Sequence, residues 1–291
     1  MTLGYRMPAE WEKHAATWLT WPHNVETWPD VLPSVEREML SIITALSESE
    51  VVRVNVLNAA HEEHVCSLLH NRVVPGTVIF HQLPTNDSWC RDCGAIFLTR
   101  NSHEEPLASL NFQYNAWGGK YPPYNLDQVV AEFMAKILLV PEFLSEMYLE
   151  GGAVDVNGVG TLITTEECLL QRNPEMSCVQ IEQRLKNAFG VTQVIWLEKG
   201  LEGDDTNRHV DQLARFVSQN RVVVSSEKNT KDCNYLTLMK NRERLVNAKL
   251  ADGTSIEIVE LPMPDPVYYQ NRRLPASYAN FYIANKLVLV P

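Results

Sequence analysis

The sequence predicts an α/β fold in which similar ββαβ units are arranged in a closed ring. Four segments share the pattern of an apolar strand, a polar turn and a second apolar strand. Their turns lie roughly 60 residues apart, a spacing within the range of known repeat architectures. An amphipathic helix and a further strand follow each of the first three segments. Units of this kind bury their helix faces against one another, which favours a ring over an open sheet. An α/β sandwich with accidental spacing is the alternative.

The repeated strand pairs are predicted to be β-hairpins. They occupy residues 95–112, 153–165, 214–226 and 280–291, with turns near Asn101, Asn157, Asn220 and Asn285. The clearest turn is Asn157-Gly158, because Asn and Gly tolerate the positive φ angles that a tight hairpin turn requires. These hairpins supply the first two strands of each unit.

Amphipathic helices are predicted between the hairpins, at residues 125–140, 174–190 and 231–250. We expect Val129, Phe133 and Ile137 to form the apolar face of the first of these helices. Strands complete the units at residues 146–150, 192–198 and 255–261. The N-terminal region is less regular, with helices near 32–48 and 59–70 and strands at 51–57 and 77–83.

The composition narrows the class of protein. The 291 residues are 45% hydrophobic and 21% charged, which is typical of a soluble globular protein. No apolar run is long enough to span a membrane and no secretory signal is visible, so we expect a cytoplasmic protein without a membrane partner. The formal net charge of −11 argues against a nucleic-acid partner, because no basic patch is available to contact phosphates. Residues 1–291 are predicted to form a single domain, and a homo-oligomer is left open.

Polar motifs occupy the joints between the predicted units. They are NDSWCRD (86–92), LEGG (149–152), GDDTNRHVD (203–211) and PVYYQNRRLPASYAN (266–280). In a ring such joints point toward one central region, so we expect four acids and a histidine to converge in one pocket: Asp92, Glu150, Asp205, His209 and Asp211. Taken alone, the Glu-Gly-Gly segment is equally consistent with a solvated turn. The pair of His209 and Asp211, taken alone, is equally consistent with an exposed surface.

The residue types in this pocket point to a cationic ligand. His209 and Asp211 would face the same side of a strand, and a histidine beside a carboxylate is suited to general acid/base chemistry. A guanidinium fits several carboxylates best, because its planar fork forms paired hydrogen bonds with them. A metal cation is the alternative. The tryptophans favour an organic cation, since aromatic faces hold cations well, although they could equally fill a core: Trp18, Trp21, Trp28, Trp89 and Trp117.

Several segments together resemble a known family. They are MPAEWEKHAATWLTWPHN, NDSWCRDCG, LEGGAVDVNGVGTLITTEECLLQRNP, GLEGDDTNRHVDQLARF and LPASYANFYIAN, which look like agmatine deiminase and related bacterial peptidyl-arginine deiminase-like proteins. The resemblance implies the pentein fold, a five-bladed α/β propeller of ββαβ repeats with pseudo-fivefold symmetry. It also implies hydrolysis of agmatine to N-carbamoylputrescine and ammonia, without a metal or organic cofactor, in putrescine and polyamine metabolism.

The resemblance assigns roles to individual residues. The implied catalytic residues are a general acid/base and three acids, the first of which grips the guanidinium: His209, with Asp92, Asp211 and Glu150. The implied substrate-binding residues are a tryptophan packed near the guanidinium, an acid close to the substrate, and a supporting acid of the first motif: Trp89, Asp205 and Asp87.

The covalent step requires a thiolate that attacks the guanidinium carbon and an acid, here His209, that protonates the departing ammonia. In the family this nucleophile lies in a Gly-rich segment near the C-terminus that has no counterpart in residues 1–291. We therefore expect a C-terminally truncated chain, with an incomplete last repeat and the nucleophilic cysteine beyond Pro291. Cys90 and Cys93 are expected to face opposite sides of a strand, and the six cysteines to be reduced and not to replace the nucleophile.

Three alternatives remain at this point. A deiminase acting on arginine at peptide ends would have to accommodate an α-carboxylate or peptide, which Arg or Lys placed for that role would favour. Arg208 has no assigned role. A non-catalytic guanidinium- or polyamine-binding protein would not need a nucleophile. A zinc or redox protein using Cys90 and Cys93 would need a second Cys/His pair at suitable spacing, which is missing.

Overall fold

The computed structural model describes residues 3–102 and 104–291. Four three-stranded sheets follow one another along the chain. Two shorter ribbons lie in the C-terminal part, at Tyr268–Tyr269 with Arg272–Arg273 and at Tyr282–Ile283 with Val288–Leu289. Within the described residues, no helix is both long and apolar enough to cross a membrane.

The first sheet is wholly parallel, with strands Ala16–Thr20, Val51–Val56 and Val78–Gln82. Parallel neighbours need crossover connections, and the helices Leu32–Ser47 and Ala59–Leu69 supply them. Both helices and the last two strands were predicted and are confirmed. The strand Ala16–Thr20 was not predicted.

The second, third and fourth sheets share one pattern, an antiparallel hairpin followed by a third strand parallel to the hairpin's second strand. The hairpins are Ile96–Thr99 with Leu107–Gln113, Val154–Val156 with Thr161–Thr165, and Ala214–Phe216 with Arg221–Ser226. The third strands are Glu142–Tyr148, Gln193–Leu197 and Glu257–Pro262. Together with the ribbon at 282–289, all four predicted hairpins are confirmed. His103, within the first of them, lies outside the described residues.

The helices that precede the third strands are Val130–Leu138, Cys178–Phe189 and Tyr235–Asn247, and a shorter helix spans Glu166–Arg172. The predicted apolar face of the first helix is confirmed only in part, because Phe133 packs half-buried against a core whereas Val129 does not. Val129 is 43% exposed, whereas the buried residues are Val130, Ala131, Met134 and Ala135. The α-helix begins only after a 3-10 turn at Asp127–Val129, and this turn shifts the buried face along the sequence.

Neighbouring units share their hydrophobic cores. Leu110 of the second sheet lies in one core with Leu162 and Phe189 of the third unit. Ile195 of the third sheet lies in one core with Phe216 of the fourth sheet. The C-terminal hairpin packs on the first sheet, where its Ala284 shares a core with Trp21 and Val54. Each unit is therefore stabilised by burial against the next.

The predicted turn at Asn157-Gly158 shows why this pair was recognisable. The Oδ1 atom of Asn157 accepts hydrogen bonds from the backbone N–H groups of Val159, at 3.0 Å, and Thr161, at 2.9 Å. Gly158 has a φ of +71°, which favours glycine. A Cβ atom there would also lie 2.6 Å from Glu12 Oε1. Glycine is needed at this position both for its backbone conformation and for space.

Candidate active site

The first acid of the site, Asp92, lies in a short helical turn, Cys90–Cys93. The backbone N–H of Asp92 donates to the carbonyl of Trp89 at 3.0 Å. The strand expected for this segment is therefore wrong, because a four-residue turn has too few positions for a periodic pattern. The loop before it is held by Asn86, whose backbone N–H donates to Asp127 Oδ1 at 2.7 Å.

Both carboxylate oxygens of Asp92 have fixed hydrogen-bond donors. The backbone N–H of Gly152 donates to Oδ1 at 3.0 Å, and the indole Nε1 of Trp117 donates to Oδ2, also at 3.0 Å. These two bonds set the plane of the carboxylate. Burial raises the pKa of Asp92, while the charge of His209 and these two donors act to lower it.

His209 lies between two carboxylates, and its side chain is only 1% exposed. Its Nε2 atom is 3.3 Å from Glu150 Oε2, and its Nδ1 atom is 3.8 Å from Asp92 Oδ1. Burial by itself lowers the pKa of His209, but Asp92, Cys168 and Glu150 outweigh it and raise the pKa well above its ordinary value. With both ring nitrogens facing acceptors, the charged imidazolium is the favoured form.

Glu150 is fully buried between His209 and an arginine that the sequence did not single out. The Nε atom of Arg172 lies 2.7 Å from Glu150 Oε1 as an ion pair without good hydrogen-bond alignment, and both side chains are at most 1% exposed. Arg172 also donates from Nη2 to the carbonyl of Thr206 at 2.7 Å. Burial opposes ionisation of Glu150, but His209 and Arg172 together hold its pKa below the ordinary value.

The loop that carries His209 is organised by Asp204. Its Oδ2 atom accepts the backbone N–H of His209 at 3.1 Å, and its Oδ1 atom accepts the backbone N–H of Thr206 at 2.9 Å. A 3-10 turn, Val210–Gln212, follows His209 directly. The strand assumed for His209 and Asp211 is therefore wrong, yet the turn still brings both side chains to one point.

That point is Gly152. A Cβ atom at this position would lie 2.6 Å from Asp211 Oδ2, 2.6 Å from His209 Nδ1 and 3.0 Å from Asp92 Oδ1. The three groups therefore pack against Gly152 and leave no room there for a side chain. Burial, together with the charge of Asp92, raises the pKa of Asp211 to about 6, although the charge of His209 acts in the opposite direction.

The structure thus brings together all four predicted catalytic residues: Asp92, Glu150, His209 and Asp211. Trp89 stands beside them in a row of aromatic rings. Its ring centroid is 6.2 Å from that of Trp117 and 5.4 Å from that of Trp28, and it is 37% exposed.

The two remaining predicted substrate-binding acids have other partners. Asp87 accepts hydrogen bonds from Thr27 Oγ1 and from the backbone N–H of Ser88. Asp205 is exposed, and its Oδ2 atom accepts the Tyr121 hydroxyl at 2.7 Å. Contact of either acid with a substrate stays a prediction.

Arg208 faces away from this cluster. Its Nη1 atom donates to the carbonyl of Leu201, and its guanidinium lies 3.6 Å from Glu167 and 3.7 Å from Glu202. Its backbone φ is +76°, a conformation that is uncommon for residues other than glycine. The Arg208 side chain therefore stabilises the loop that contains it.

The cysteines of the chain are free thiols. Burial raises the pKa of Cys90 to about 12 and that of Cys93 well above its ordinary value. Cys168 is fully buried, and its Sγ atom lies within 4.8 Å of ligand-type atoms of Glu150 and His209. This trio would suit a metal poorly, because the Arg172 guanidinium already pairs with Glu150 and the imidazole is favoured in its charged form.

Comparison with known proteins agrees with this geometry. Residues 6–291 match the family model of the Porphyromonas-type peptidyl-arginine deiminases. The chain belongs to this family. A Legionella pneumophila (strain Paris) protein described as a candidate agmatine deiminase is 37% identical over 99% of this chain and 82% of its own length. The agmatine deiminase of Medicago truncatula is 35% identical over 99% of this chain and 84% of its own length.

Solved structures of this deiminase family share the fold. A cysteine-to-serine variant of C. jejuni agmatine deiminase with substrate bound is 33% identical, covers 99% of this chain and 82% of its own, and superimposes with a TM-score of 0.87. The predicted family resemblance and the α/β pentein fold class are therefore confirmed.

Proposed function

We propose that the protein is an agmatine deiminase, which hydrolyses agmatine to N-carbamoylputrescine and ammonia. The observation that carries the proposal is the convergence of Asp92, His209 and Asp211 around Gly152, whose missing side chain lets these groups approach one another closely. Two carboxylates beside one imidazole suit a planar guanidinium, which donates paired hydrogen bonds. The relatives named agmatine deiminase, over nearly the whole chain, support the same substrate.

Asp92 and the aromatic row would bind the guanidinium. Each oxygen of Asp92 already accepts one hydrogen bond, from Gly152 or from Trp117, and a carboxylate oxygen has a second lone pair. Those lone pairs are free to accept the two parallel N–H groups of a guanidinium edge. The rings of Trp89 and Trp117, which meet edge to face, would support the flat cation and its methylene chain.

His209 would move the protons of the reaction. A thiolate attacks the guanidinium carbon and forms an S–C bond, and the C–N bond then breaks as the imidazolium gives its proton to the departing ammonia. The neutral imidazole next takes a proton from water, whose oxygen displaces the thiolate from the thiouronium carbon. Glu150, which faces Nε2, favours the charged form that the first step needs.

The thiolate itself is not assigned to a cysteine of residues 1–291. Cys90, Cys93 and Cys168 have pKa values raised by burial, and the attacking species is the thiolate. A nucleophile beyond Pro291 stays a prediction.

We propose agmatine rather than arginine at a peptide end because the cations near the site are already engaged. Arg172 pairs with Glu150, Arg91 pairs with Glu10 at 2.7 Å, and Lys120 Nζ donates to the carbonyl of Asp205 at 2.6 Å. Arg208 is turned toward Glu167 and Glu202. A substrate with an α-carboxylate would have to displace one of these partners, whereas agmatine has no such group.

We further propose that the four sheets and the C-terminal hairpin form a single domain around a pseudo-fivefold axis, as a five-bladed propeller. The packing of the hairpin at 282–289 on the first sheet supports this proposal, because it joins the last unit to the first. Asn285 strengthens the joint, since its Oδ1 atom accepts the backbone N–H of His14 at 2.8 Å.

Ammonia release from agmatine, free arginine and an arginine-containing peptide tests the proposed reaction on the full-length protein. We expect turnover of agmatine with formation of N-carbamoylputrescine, and little turnover of the other two. Preferred turnover of the peptide would replace agmatine by peptidyl arginine as the substrate. No turnover of any of the three would contradict the enzymatic function.

A further inference from the structure

The segment that supplies the Trp117 indole has an unusual backbone. Four successive residues have positive φ angles, namely Ala116, Trp117, Gly118 and Gly119, at +49°, +56°, +89° and +78°. Two of them are not glycine, and for such residues the left-handed region is strained. Strain of this kind persists where the surrounding structure fixes the segment, and it concentrates at functional sites.

Contacts at both ends hold the segment in place. The Oδ1 atom of Asn115 accepts the backbone N–H of Gly118 at 2.8 Å, and the backbone N–H of Gly119 donates to the Asn115 carbonyl at 2.6 Å. Beyond the segment, Tyr121 donates its hydroxyl to Asp205 in the loop that leads to His209. This hydrogen bond joins the two loops.

The conformation places the indole ring in a fixed position. Trp117 is 6% exposed, and its ring makes edge-to-face contacts with the rings of Tyr114, Tyr121 and Trp89 at centroid distances of 5.8, 5.8 and 6.2 Å. Its Nε1 atom points at Asp92 Oδ2, 3.0 Å away. A tryptophan that only fills a core needs neither an indole N–H directed at a carboxylate nor a strained backbone.

We propose that Trp117 is a positioning residue that orients Asp92 for guanidinium binding, a role that rests on the proposed function. Gly152 holds one oxygen of Asp92 and Trp117 holds the other, so the carboxylate cannot rotate about its Cβ–Cγ bond without losing a bond. The second lone pair of each oxygen is thereby directed toward the substrate. The same indole N–H stabilises the ionised carboxylate, which is the form that binds a cation.

The substitution Trp117→Phe tests this role, because it keeps an aromatic ring and removes the N–H. Isothermal titration of agmatine into residues 1–291, to whose cysteines no nucleophilic role is assigned, and into the variant of the same residues, between pH 5 and 8, measures binding independently of any covalent step. We expect affinity to fall about ten- to a hundred-fold, the range for loss of a hydrogen bond to a charged group. Without the indole donor the pKa of Asp92 rises further, so binding should weaken at a higher pH than in the wild type.

A matched control is Trp196→Phe. The Nε1 atom of Trp196 donates to Glu182 Oε2 at 2.9 Å, which is the same kind of indole–carboxylate hydrogen bond. Glu182 lies on the helix Cys178–Phe189, which contains no residue of the site. This control should bind agmatine with the affinity and pH dependence of the wild type. If Trp117→Phe does not fold, Asn115→Ala serves instead, because it loosens the segment without altering Trp117 or Asp92, and it should show the same displacement of the pH profile to a smaller extent.

The outcomes separate the two proposals. A wild type that binds agmatine, with Trp117→Phe or Asn115→Ala matching it in affinity and pH profile, would overturn the positioning role and leave the proposed function intact. A wild type that does not bind agmatine would overturn both.

Discussion

The Nε2 atom of His209 lies 3.3 Å from Oε2 of Glu150, and neither side chain is more than 1% exposed. This buried pair determines how the histidine is charged, because a carboxylate so close to an imidazole favours the imidazolium. Glu150 is in turn paired with Arg172 through its other oxygen. Its carboxylate is thus occupied on both sides, which makes it a partner of His209 rather than a free ligand for the substrate.

Glu150→Gln should lower the pKa of His209, because the amide keeps the shape of the side chain without its charge. A group with a raised pKa is charged below that pKa, so the alkaline limb of the rate–pH profile should move to lower pH. The maximal rate should fall about a hundred-fold or more, since general acid catalysis contributes on that scale. Titration of the His209 ring protons by NMR checks the shift directly.

The matched control for that variant is Glu257→Gln, which breaks an exposed ion pair with Arg221. It should leave both the profile and the rate unchanged. An unaltered His209 titration in Glu150→Gln would show that Glu150 does not hold the imidazolium.

Arg172→Met should destabilise the protein strongly. Removing one partner of a buried ion pair leaves the other charge uncompensated, at a cost of about 3–5 kcal/mol. Chemical denaturation at pH 7 measures the difference in the free energy of unfolding. Arg221→Met, which breaks the exposed pair with Glu257, should change that free energy by less than about 1 kcal/mol. Equal effects of the two substitutions would contradict the assigned role of Arg172.

Gly152→Ala should abolish agmatine binding without unfolding the chain. The added Cβ would lie 2.6 Å from both Asp211 Oδ2 and His209 Nδ1, so these side chains must move. Displacements of about 1 Å in an active site reduce rates on the order of a hundred-fold, and both binding and turnover report the effect.

Gly253→Ala is the comparison for that variant, because a Cβ there meets no neighbouring atom while φ is +82°. It should lower stability slightly and leave the affinity for agmatine unchanged. Normal agmatine binding by Gly152→Ala would show that the close packing of Asp211 and His209 against residue 152 is not needed for the binding site.

Asp127→Asn should stabilise the protein at neutral pH. Burial raises the pKa of Asp127 to about 6, above its ordinary value near 4 in the unfolded chain. The folded state therefore binds more protons than the unfolded state between about pH 4 and 6, and stability falls as the pH rises through that window. The gain in the variant should be at most about 3 kcal/mol at pH 7, because a shift of about two pKa units corresponds to about 1.4 kcal/mol for each unit. Asn keeps the acceptor for the Asn86 N–H.

Urea unfolding of the wild type and Asp127→Asn at pH 4, 5, 6 and 7 measures this difference. The two curves of free energy against pH should diverge as the pH rises. Parallel curves would mean that Asp127 is ionised at no cost in the folded protein.

The repeat was predictable because its signals are local. Hairpins and amphipathic helices have periods of two and 3.6 residues, and the Asn157-Gly158 turn has its own sequence preference. The errors occurred where short irregular turns replace periodic structure. The helical turn at Cys90–Cys93 and the 3-10 turn after His209 were both taken for strands, and the 3-10 turn before Val130 displaced a predicted helix face.

The proximity of four polar residues was predictable, because they occupy equivalent joints of the repeat: Asp92, Glu150, His209 and Asp211. Arg172 and the orienting contact of Trp117 were not, since both depend on side-chain contacts between units distant in sequence. Arg172 is the last residue of a short helix whose Leu169 is fully buried. A charged residue in such an apolar helix was a signal of a buried ion pair. The consecutive glycines after Trp117 were a second signal, of a left-handed segment.

The central claim is that Asp92 binds a guanidinium. Titration calorimetry of agmatine into residues 1–291, with the wild-type sequence or with Asp92→Asn, tests it most directly at pH 7.5. This substitution keeps the size of the side chain and removes its charge. We expect the wild type to bind agmatine and the variant to bind at least about a hundred-fold more weakly, because a buried cation loses its charged partner. Equal affinities of the two proteins would contradict the account.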